Sequence, residues 1–277
     1  RPPRSTLDRS SAASDVYKRQ SRRRRDIGGD DPKRPDALAA GNRSVGDLSG
    51  CQARDEVLVK RGFAAAAVDF RHAGEGYPTS SIDINFAIRW LKARASDLSL
   101  DPNRVALSGQ SSGGHLAMLA AMRPTDSRYA SIPIDGAIKA DVCCVAMTWP
   151  VINPLSRYRH ALRLRAGANP PAWTGNIPER HDLYWKNEEH MTEGNPMLAL
   201  ERGEVVAIPP AIWIQGRPDQ IHDSRDTESE LALNAPERFA ARYRQIGGNI
   251  ELCYVLQERR DEESYVPLIS VSYTHLT

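Results

Sequence analysis

The chain has 277 residues, of which 40% are hydrophobic and 26% are charged, and its formal net charge at neutral pH is +2. This length predicts one large α/β domain with a well-buried core, and the proportions lie in the globular range. No apolar run approaches the roughly 18 residues that a membrane span requires, so we expect no transmembrane helix. The four cysteines lack the spacing of a metal site or a disulfide framework.

The amino-terminal stretch is strongly basic. Residues 1–25 hold nine Lys or Arg and two Asp. Such an arm can contact nucleic acid or an anionic membrane, but Tyr17 is its only aromatic residue and no apolar stripe accompanies the charges. We therefore predict a disordered tail without a nucleic-acid partner. The stretch also lacks the apolar core of a signal peptide, which favours a cytoplasmic location.

Both ends of the chain contain stretches that do not resemble natural protein. Ser10–Gln20 and Ser270–Thr277 are similar to short peptides that recur at the ends of translated environmental sequences. We interpret residues 1–35 and 267–277 as disordered or non-native tails, and we expect both natural termini to be missing.

From about residue 50 the sequence alternates helix-like and strand-like segments. Gly62 ends the first helix, because glycine just past a last turn is the usual left-handed cap, and Ser80, Ser81 and Asp83 signal the start of the second. In chain order the patterns predict helix 52–61, strand 63–70, a helix from Ser80, strand 105–108, helix 113–123, strands 142–147 and 211–215, a helix from Asn234 and strand 250–256.

This order predicts an α/β domain over residues 36–266. Strands separated by helices of this length indicate a doubly wound, mostly parallel sheet with helices on both faces. Between Trp149 and Pro210 the alternation is lost, and we predict a partly helical cap insertion over about 149–209, because the stretch is too long for a plain connection. Its large side chains are candidates either to line a pocket or to pack the cap: Trp149, Trp173, Tyr184, Trp185 and Met191.

Gly109-Gln110-Ser111-Ser112-Gly113 fits the pattern Gly-x-Ser-x-Gly, and it lies directly between a predicted strand and a predicted helix. In that context the glycines permit a sharp turn that exposes the middle serine, and the helix amino terminus favours developing negative charge. We predict Ser111 as a nucleophile and the Ser112 N–H as an oxyanion donor. The alternative is a glycine-rich turn that only packs a helix on a sheet.

Two phosphate-binding patterns fit the same segment poorly. Gly109 and Gly114 have the spacing of the Gly-x-x-x-x-Gly-Lys-Ser/Thr loop, but His115 and Leu116 stand where lysine and a hydroxyl residue are needed. The segment also fails the Gly-x-Gly-x-x-Gly pattern of dinucleotide folds. Nucleotide binding is therefore not predicted.

A carboxylate follows a later strand. Asp219 comes four residues after the strand 211–215, in Gly-Arg-Pro-Asp, and hydrolases with this type of elbow use the chain order Ser, acid, His. We predict that Asp219 orients a histidine. An aspartate that only shapes a turn after proline is the alternative.

With these residues in place, the stretch from Gly46 to Leu256 resembles the hormone-sensitive-lipase-like branch of the α/β-hydrolase carboxylesterases. The resemblance implies hydrolysis of carboxylic esters without metal or cofactor, through an acyl-enzyme on Ser111, with Asp219 orienting a histidine. The residues that carry it are Arg61–Phe63, Val68–Arg71, Ile88–Leu91, Gly109–Leu116 and Gly216–Asp219.

The sequence departs from that family at the oxyanion loop. The family's His-Gly-Gly loop belongs just before Gly46, where this chain has Ala-Ala-Gly-Asn-Arg at 39–43 and only Gly41 fits. We expect the amides of Ala40 and Gly41 to serve as donors, since the chemistry needs backbone N–H groups. No apolar strand leading into this loop is apparent in residues 21–38.

The second departure concerns the base. The family's histidine follows the last strand, but residues 257–261 are Gln-Glu-Arg-Arg-Asp. His222, three residues after Asp219, is the best available base, with an ordinary loop histidine as the alternative. His275 lies in the suspect tail, and His115 is expected to face the sheet in a structural role.

The sequence therefore predicts a serine hydrolase of small or medium carboxylic esters, with a small-molecule ester as its partner. The missing family histidine and the altered oxyanion loop motivate a rival from another class, a noncatalytic ligand-binding or scaffold protein with the same fold. A peptidase or another acyl transferase is a third possibility.

Overall fold

The computed structural model describes residues 36–41, 58–59, 62–68, 70–71 and 73–256. All of these residues belong to one compact unit. The predicted tails at 1–35 and 267–277 lie outside the described residues, as do His72 and His275.

One parallel sheet organises the described part of the chain. Its spatial order is β2-β1-β3-β4-β5-β6, and every neighbouring pair is parallel. The carboxyl ends of the strands therefore meet at one edge, which is where ligands bind in open sheets of this kind. The strands are β1 (Asp36–Gly41), β2 (Phe63–Ala67), β3 (Val105–Gln110), β4 (Val145–Thr148), β5 (Ala211–Arg217) and β6 (Ile250–Leu256).

Helices cover both faces of the sheet. Ile212 and Ile214 pack with the helical residue Leu58 on one face, while Trp213 meets Phe239 on the other at 5.8 Å between ring centroids. The predicted doubly wound α/β sheet is confirmed. The helices are α1 (Thr79–Ala93), α2 (Ala95–Leu98), α3 (Ser112–Met122), α4 (Pro154–Arg165), α5 (Ile177–Trp185), α6 (Glu188–Glu193), α7 (Pro196–Glu201) and α8 (Ala235–Gln245).

Strand β1 corrects an expectation from the sequence. No apolar strand was expected ahead of residue 39, yet residues 36–41 form a central strand between β2 and β3. Its sequence, Asp-Ala-Leu-Ala-Ala-Gly, has one large apolar residue, so its hydrophobic signal is weak. Pairing stabilises the strand instead, because residues 37–40 are paired with both neighbouring strands.

The start of α1 also differs from its predicted capping. The helix begins at Thr79, and its cap residue Pro78 supplies no side-chain hydrogen bond. Asp83 instead accepts from the backbone N–H of Arg71 at 2.8 Å and pairs with its guanidinium, while Ser80 Oγ donates to the Arg71 carbonyl at 2.7 Å. These residues tie the loop after β2 to α1.

The segment between β4 and β5, residues 149–210, contains α4, α5, α6 and α7. The buried side chain of Asn195 donates to Asn153 Oδ1 at 2.8 Å, and Arg159 of α4 pairs with Glu188 of α6. The helices therefore form one connected layer. No helix of the described residues is both long and apolar enough to span a membrane.

Candidate active site

Ser111 stands in a strained turn at the carboxyl end of β3. Its φ of 51° and ψ of −117° lie in a region that residues other than glycine rarely adopt, and α3 begins at the next residue. The strain is held from both sides, because the Ser111 N–H donates to the Thr148 carbonyl at 3.0 Å and its own carbonyl accepts from Val151 N–H at 3.0 Å. Strain of this kind costs about 1–3 kcal/mol and is concentrated at functional sites.

Steric crowding requires glycine at two positions of this turn. A Cβ at Gly109 would lie 2.2 Å from the Gly113 carbonyl oxygen, and one at Gly114 would lie 2.8 Å from Pro150 Cβ. The chain therefore turns so tightly that only glycine fits at these two positions. This is the backbone that a strand-turn-helix elbow needs in order to expose its central serine.

Asp219 lies in the turn two residues beyond β5, at the same edge of the sheet as Ser111. Its side chain is 1% exposed. Oδ1 accepts from the backbone N–H groups of Ile221 at 2.9 Å and His222 at 3.1 Å, and Oδ2 accepts from Gln215 Nε2 at 3.0 Å. These bonds fold the chain after Asp219 back over its own carboxylate.

His222 connects the two predicted residues. Its Nδ1 lies 3.0 Å from Asp219 Oδ2, and its Nε2 lies 3.0 Å from Ser111 Oγ. With a carboxylate on Nδ1, that nitrogen carries the proton and Nε2 is left as an acceptor for the serine hydroxyl. The structure thus brings Ser111, Asp219 and His222 into one chain of hydrogen bonds, although acid and base come from a single loop.

Gln215 is a site residue that the sequence did not reveal. Its side chain is fully buried, accepts from Trp213 Nε1 at 3.0 Å and donates to Asp219. It therefore fixes the carboxylate from inside the sheet. The only signal was a single polar residue at the end of an apolar strand, and nothing indicated its partner.

The predicted oxyanion donors lie in different surroundings from those expected. Ala40 and Gly41 belong to β1 rather than to a loop, and Ala40 pairs in register with Ala67 on one side and Ser108 on the other. A residue inside a ladder has its N–H directed into the sheet, so Ala40 is corrected from loop donor to strand residue. Gly41 ends the strand opposite Gly109, and Ser112 is the first residue of α3, where amides have no acceptor within the helix.

His115 contacts the helical layer of residues 149–210. On the sequence alone it is expected to face the sheet instead. Its Nε2 donates to the Gly194 carbonyl at 2.8 Å, and its ring meets the edge of Trp185 at 5.4 Å. Burial, together with the nearby Arg123, lowers the pKa of His115 to about 4. Trp185, Trp149 and Met191 are themselves buried, in the packing role that was the alternative to lining a pocket.

This buried histidine predicts a pH-dependent stability. Because the pKa of His115 falls from 6.5 to about 4, the unfolded chain binds a proton between these pH values that the folded chain does not. The free energy of unfolding is therefore expected to fall by roughly 3 kcal/mol from this residue as the pH drops from 7 to 4. Chemical unfolding of the wild type and of His115→Gln at both pH values measures the effect. A variant with the same pH slope as the wild type would contradict the prediction.

The architecture matches that of solved esterases. Esterase 2 of Thermogutta terrifontis superposes with a TM-score of 0.62 at 20% identity, covering 90% of this chain and 84% of that one. Carboxyl esterase 2 of Tuber melanosporum gives a TM-score of 0.64 at 16% identity, covering 87% and 79%. The chain has the α/β-hydrolase fold. That architecture includes a parallel sheet, with a serine in the elbow after one strand and a carboxylate in the turn after a later strand. This chain has both features.

Similarity in sequence to known proteins covers part of the chain. Residues 41–147 match the BD-FAE family model. A probable carboxylic ester hydrolase, LipM, of Mycobacterium tuberculosis is 38% identical over 73 residues, which are 26% of this chain and 17% of that protein. Carboxylesterase NlhH of the same species is 34% identical over 84 residues, 28% of this chain and 26% of that protein. The matches thus span about a fifth of these relatives, and they confirm the resemblance to the hormone-sensitive-lipase-like carboxylesterases.

Proposed function

We propose that this chain is a serine hydrolase that cleaves small or medium carboxylic esters through an acyl-enzyme on Ser111. The observation that carries the proposal is the continuous contact from Ser111 Oγ through His222 to Asp219, with both hydrogen bonds 3.0 Å long. A serine hydroxyl is a weak nucleophile unless a base stands within hydrogen-bonding reach. Here the base is in place without any movement of the chain.

In the first step Ser111 Oγ attacks the ester carbonyl carbon and its proton passes to His222 Nε2. The buried Asp219 carboxylate stabilises the imidazolium that forms and keeps the ring oriented. The Ser112 N–H, with Gly41 at the end of β1 as the second candidate, donates to the oxygen that becomes negative. Ala40 lies deeper in the strand and has no part in this proposal.

In the second step the tetrahedral intermediate collapses. The bond to the leaving oxygen breaks, His222 gives its proton to that oxygen, and the alcohol departs while the acyl group stays on Ser111. Water then attacks the acyl carbon and passes a proton to His222. The bond from that carbon to Ser111 Oγ breaks, His222 returns the proton to Oγ, and the carboxylic acid leaves. The same imidazole thus serves as base and acid in turn.

Ligands bound to a structurally similar esterase support a substrate with a small acyl group. Two structures of the Thermogutta esterase contain butyrate and propionate, and their fold covers 90% of this chain. The missing family histidine favoured a noncatalytic protein, but His222 stands where a base is needed, which supports an enzyme. The proposal is tested by measuring turnover of p-nitrophenyl acetate and p-nitrophenyl butyrate by the purified chain. Absence of turnover by a folded protein would contradict it.

Asp219→Asn is expected to lower kcat by about 10³- to 10⁴-fold, because a neutral amide neither stabilises the imidazolium nor enforces its tautomer. The matched control is Asp223→Asn in the same loop. The Asp223 side chain is 6% exposed, against 1% for Asp219, but it pairs with Arg217 at 2.5 Å and accepts from Asn234 at 2.9 Å. We expect that control to lose stability and retain most of its kcat. A larger loss of kcat in the control would mean that Asp219 is the wrong carboxylate.

A further inference from the structure

Helix α4 begins three residues after the backbone contact that holds the Ser111 turn. Its cap residue Asn153 follows two residues after Val151, which bonds to the Ser111 carbonyl. The buried residues of the helix are Pro154 and Ala161. Arg157 stands three residues after the first and four before the second, so it belongs to the same inward face.

The guanidinium of Arg157 has no carboxylate partner among the described residues. Its Nε has neither solvent contact nor a hydrogen-bond acceptor. Other arginines of α4 differ, because Arg159 pairs with Glu188 and Glu228, Arg163 with Glu228, and Arg165 with Glu179. Arg157 therefore differs from the other three arginines of α4, each of which pairs with a glutamate.

The charges around Arg157 do not neutralise it. Asp219 is near enough to attract it, but the carboxylate oxygens already accept from the His222 ring, Gln215 and two backbone amides. Arg180 repels it from α5. Burial and both arginines hold the pKa of His181 at about 4, so this neighbour is neutral at physiological pH and neither attracts nor repels Arg157.

Arg157 remains a cation in these surroundings. Burial and the repulsion from Arg180 lower its pKa to about 10, which leaves it protonated at neutral pH. A guanidinium with a buried nitrogen that lacks an acceptor is costly. Arg157 as a whole is half-buried, and a guanidinium fits a carboxylate through two parallel hydrogen bonds. A carboxylate brought by a ligand would supply the acceptors that the described part of the chain does not.

We propose that Arg157 binds a carboxylate of the substrate, so that this hydrolase prefers esters bearing a free carboxylate over neutral esters of the same shape. The inference rests on the proposed function and deepens it by naming the substrate class. Arg157 is a specificity residue here, since it touches a part of the substrate remote from the reacting carbonyl. Arg180, exposed on α5, adds positive potential at the same place.

The test compares monoethyl succinate with ethyl 4-methylpentanoate, whose branched end has the shape of the carboxylate but no charge. In the wild type kcat/KM is expected to favour the succinate ester, and Arg157→Gln is expected to reduce that preference by about 10- to 100-fold, as for loss of a charged hydrogen bond. Arg163→Gln removes the same charge from the exposed side of α4 and is expected to keep the preference. The acetate ester of 3-hydroxypropanoate carries its carboxylate on the alcohol part. Comparison with monoethyl succinate shows whether Arg157 contacts the acyl part or the alcohol part of the substrate.

Equal losses for both esters in Arg157→Gln would overturn the proposal, because they would mean that Arg157 only supports Asp219. A wild type without preference for either charged ester would also overturn it. Calorimetric binding to Ser111→Ala, with and without Arg157→Gln, separates this inference from the proposed function. There, tighter binding of monoethyl succinate than of its neutral analogue must disappear with Arg157, whether or not the wild type turns over esters.

Discussion

Alanine in place of Ser111 is expected to reduce the hydrolysis of p-nitrophenyl butyrate to background, a loss in kcat on the order of 10⁴- to 10⁶-fold. The reason is that Ser111 is the hydroxyl placed 3.0 Å from an imidazole nitrogen at a strained strand end. Steady-state kinetics under substrate saturation measure the loss, and circular dichroism checks that the fold is intact.

The neighbouring serines provide matched controls for this substitution. Ser112→Ala retains the backbone N–H that is assigned to the oxyanion, and Ser108 is buried within β3 with 3% of its surface exposed. Both variants are expected to retain far more activity than Ser111→Ala. Equal losses for Ser111→Ala and Ser112→Ala would contradict the assignment of the nucleophile.

His222→Ala is expected to lower kcat by about as much as the loss of the serine, because base and nucleophile act as one unit. Its ring is the group that contacts both Asp219 and Ser111. The kinetic measurement is kcat for p-nitrophenyl butyrate in the variant and in the wild type, with the unfolding midpoint as a check on stability.

A second variant separates His222 from the position used by the related family. Arg259→His places a histidine after the last strand, where that family has its base, and it is made in the wild type and in the His222→Ala background. We expect no gain in either background, since the bonds from the backbone amides of residues 221 and 222 hold the Asp219 carboxylate towards its own loop. Unchanged activity in His222→Ala together with a gain from Arg259→His would show that His222 is an ordinary loop residue.

The parts of this fold that sequence predicts well are those in which local pattern and tertiary role coincide. The elbow is one, because the need for glycine at 109 and the exposure of Ser111 both arise within a few residues. The strand 250–256 is another, since it has the same bounds in the structure as in the prediction. In contrast, three of the six residues of β1 are alanine, and pairing with β2 and β3 stabilises the strand more than its own hydrophobic pattern indicates.

Other features depend on contacts that no local pattern reveals. His222 was predicted by elimination, and its approach to Ser111 requires Asp219 to accept two amides of its own loop, which fixes the path of that loop. Gln215 acquires its role only when β5 and the loop fold together. Arg157 shares a helix face with buried residues, but its proximity to Asp219 follows from the tertiary packing of α4 and not from any local pattern.

Covalent labelling by a fluorophosphonate, read by intact-protein and peptide mass spectrometry, tests the activated serine most directly. The reagent reports on nucleophilicity without any assumption about the substrate, and a structure of Thermogutta esterase 2 phosphonylated by sarin shows that this structurally similar protein reacts with a fluorophosphonate. We predict one adduct, located on Ser111, absent in Ser111→Ala and formed much more slowly in His222→Ala. A folded wild-type protein that gains no adduct, or carries it on another residue, would contradict the activation of Ser111 by His222 and Asp219.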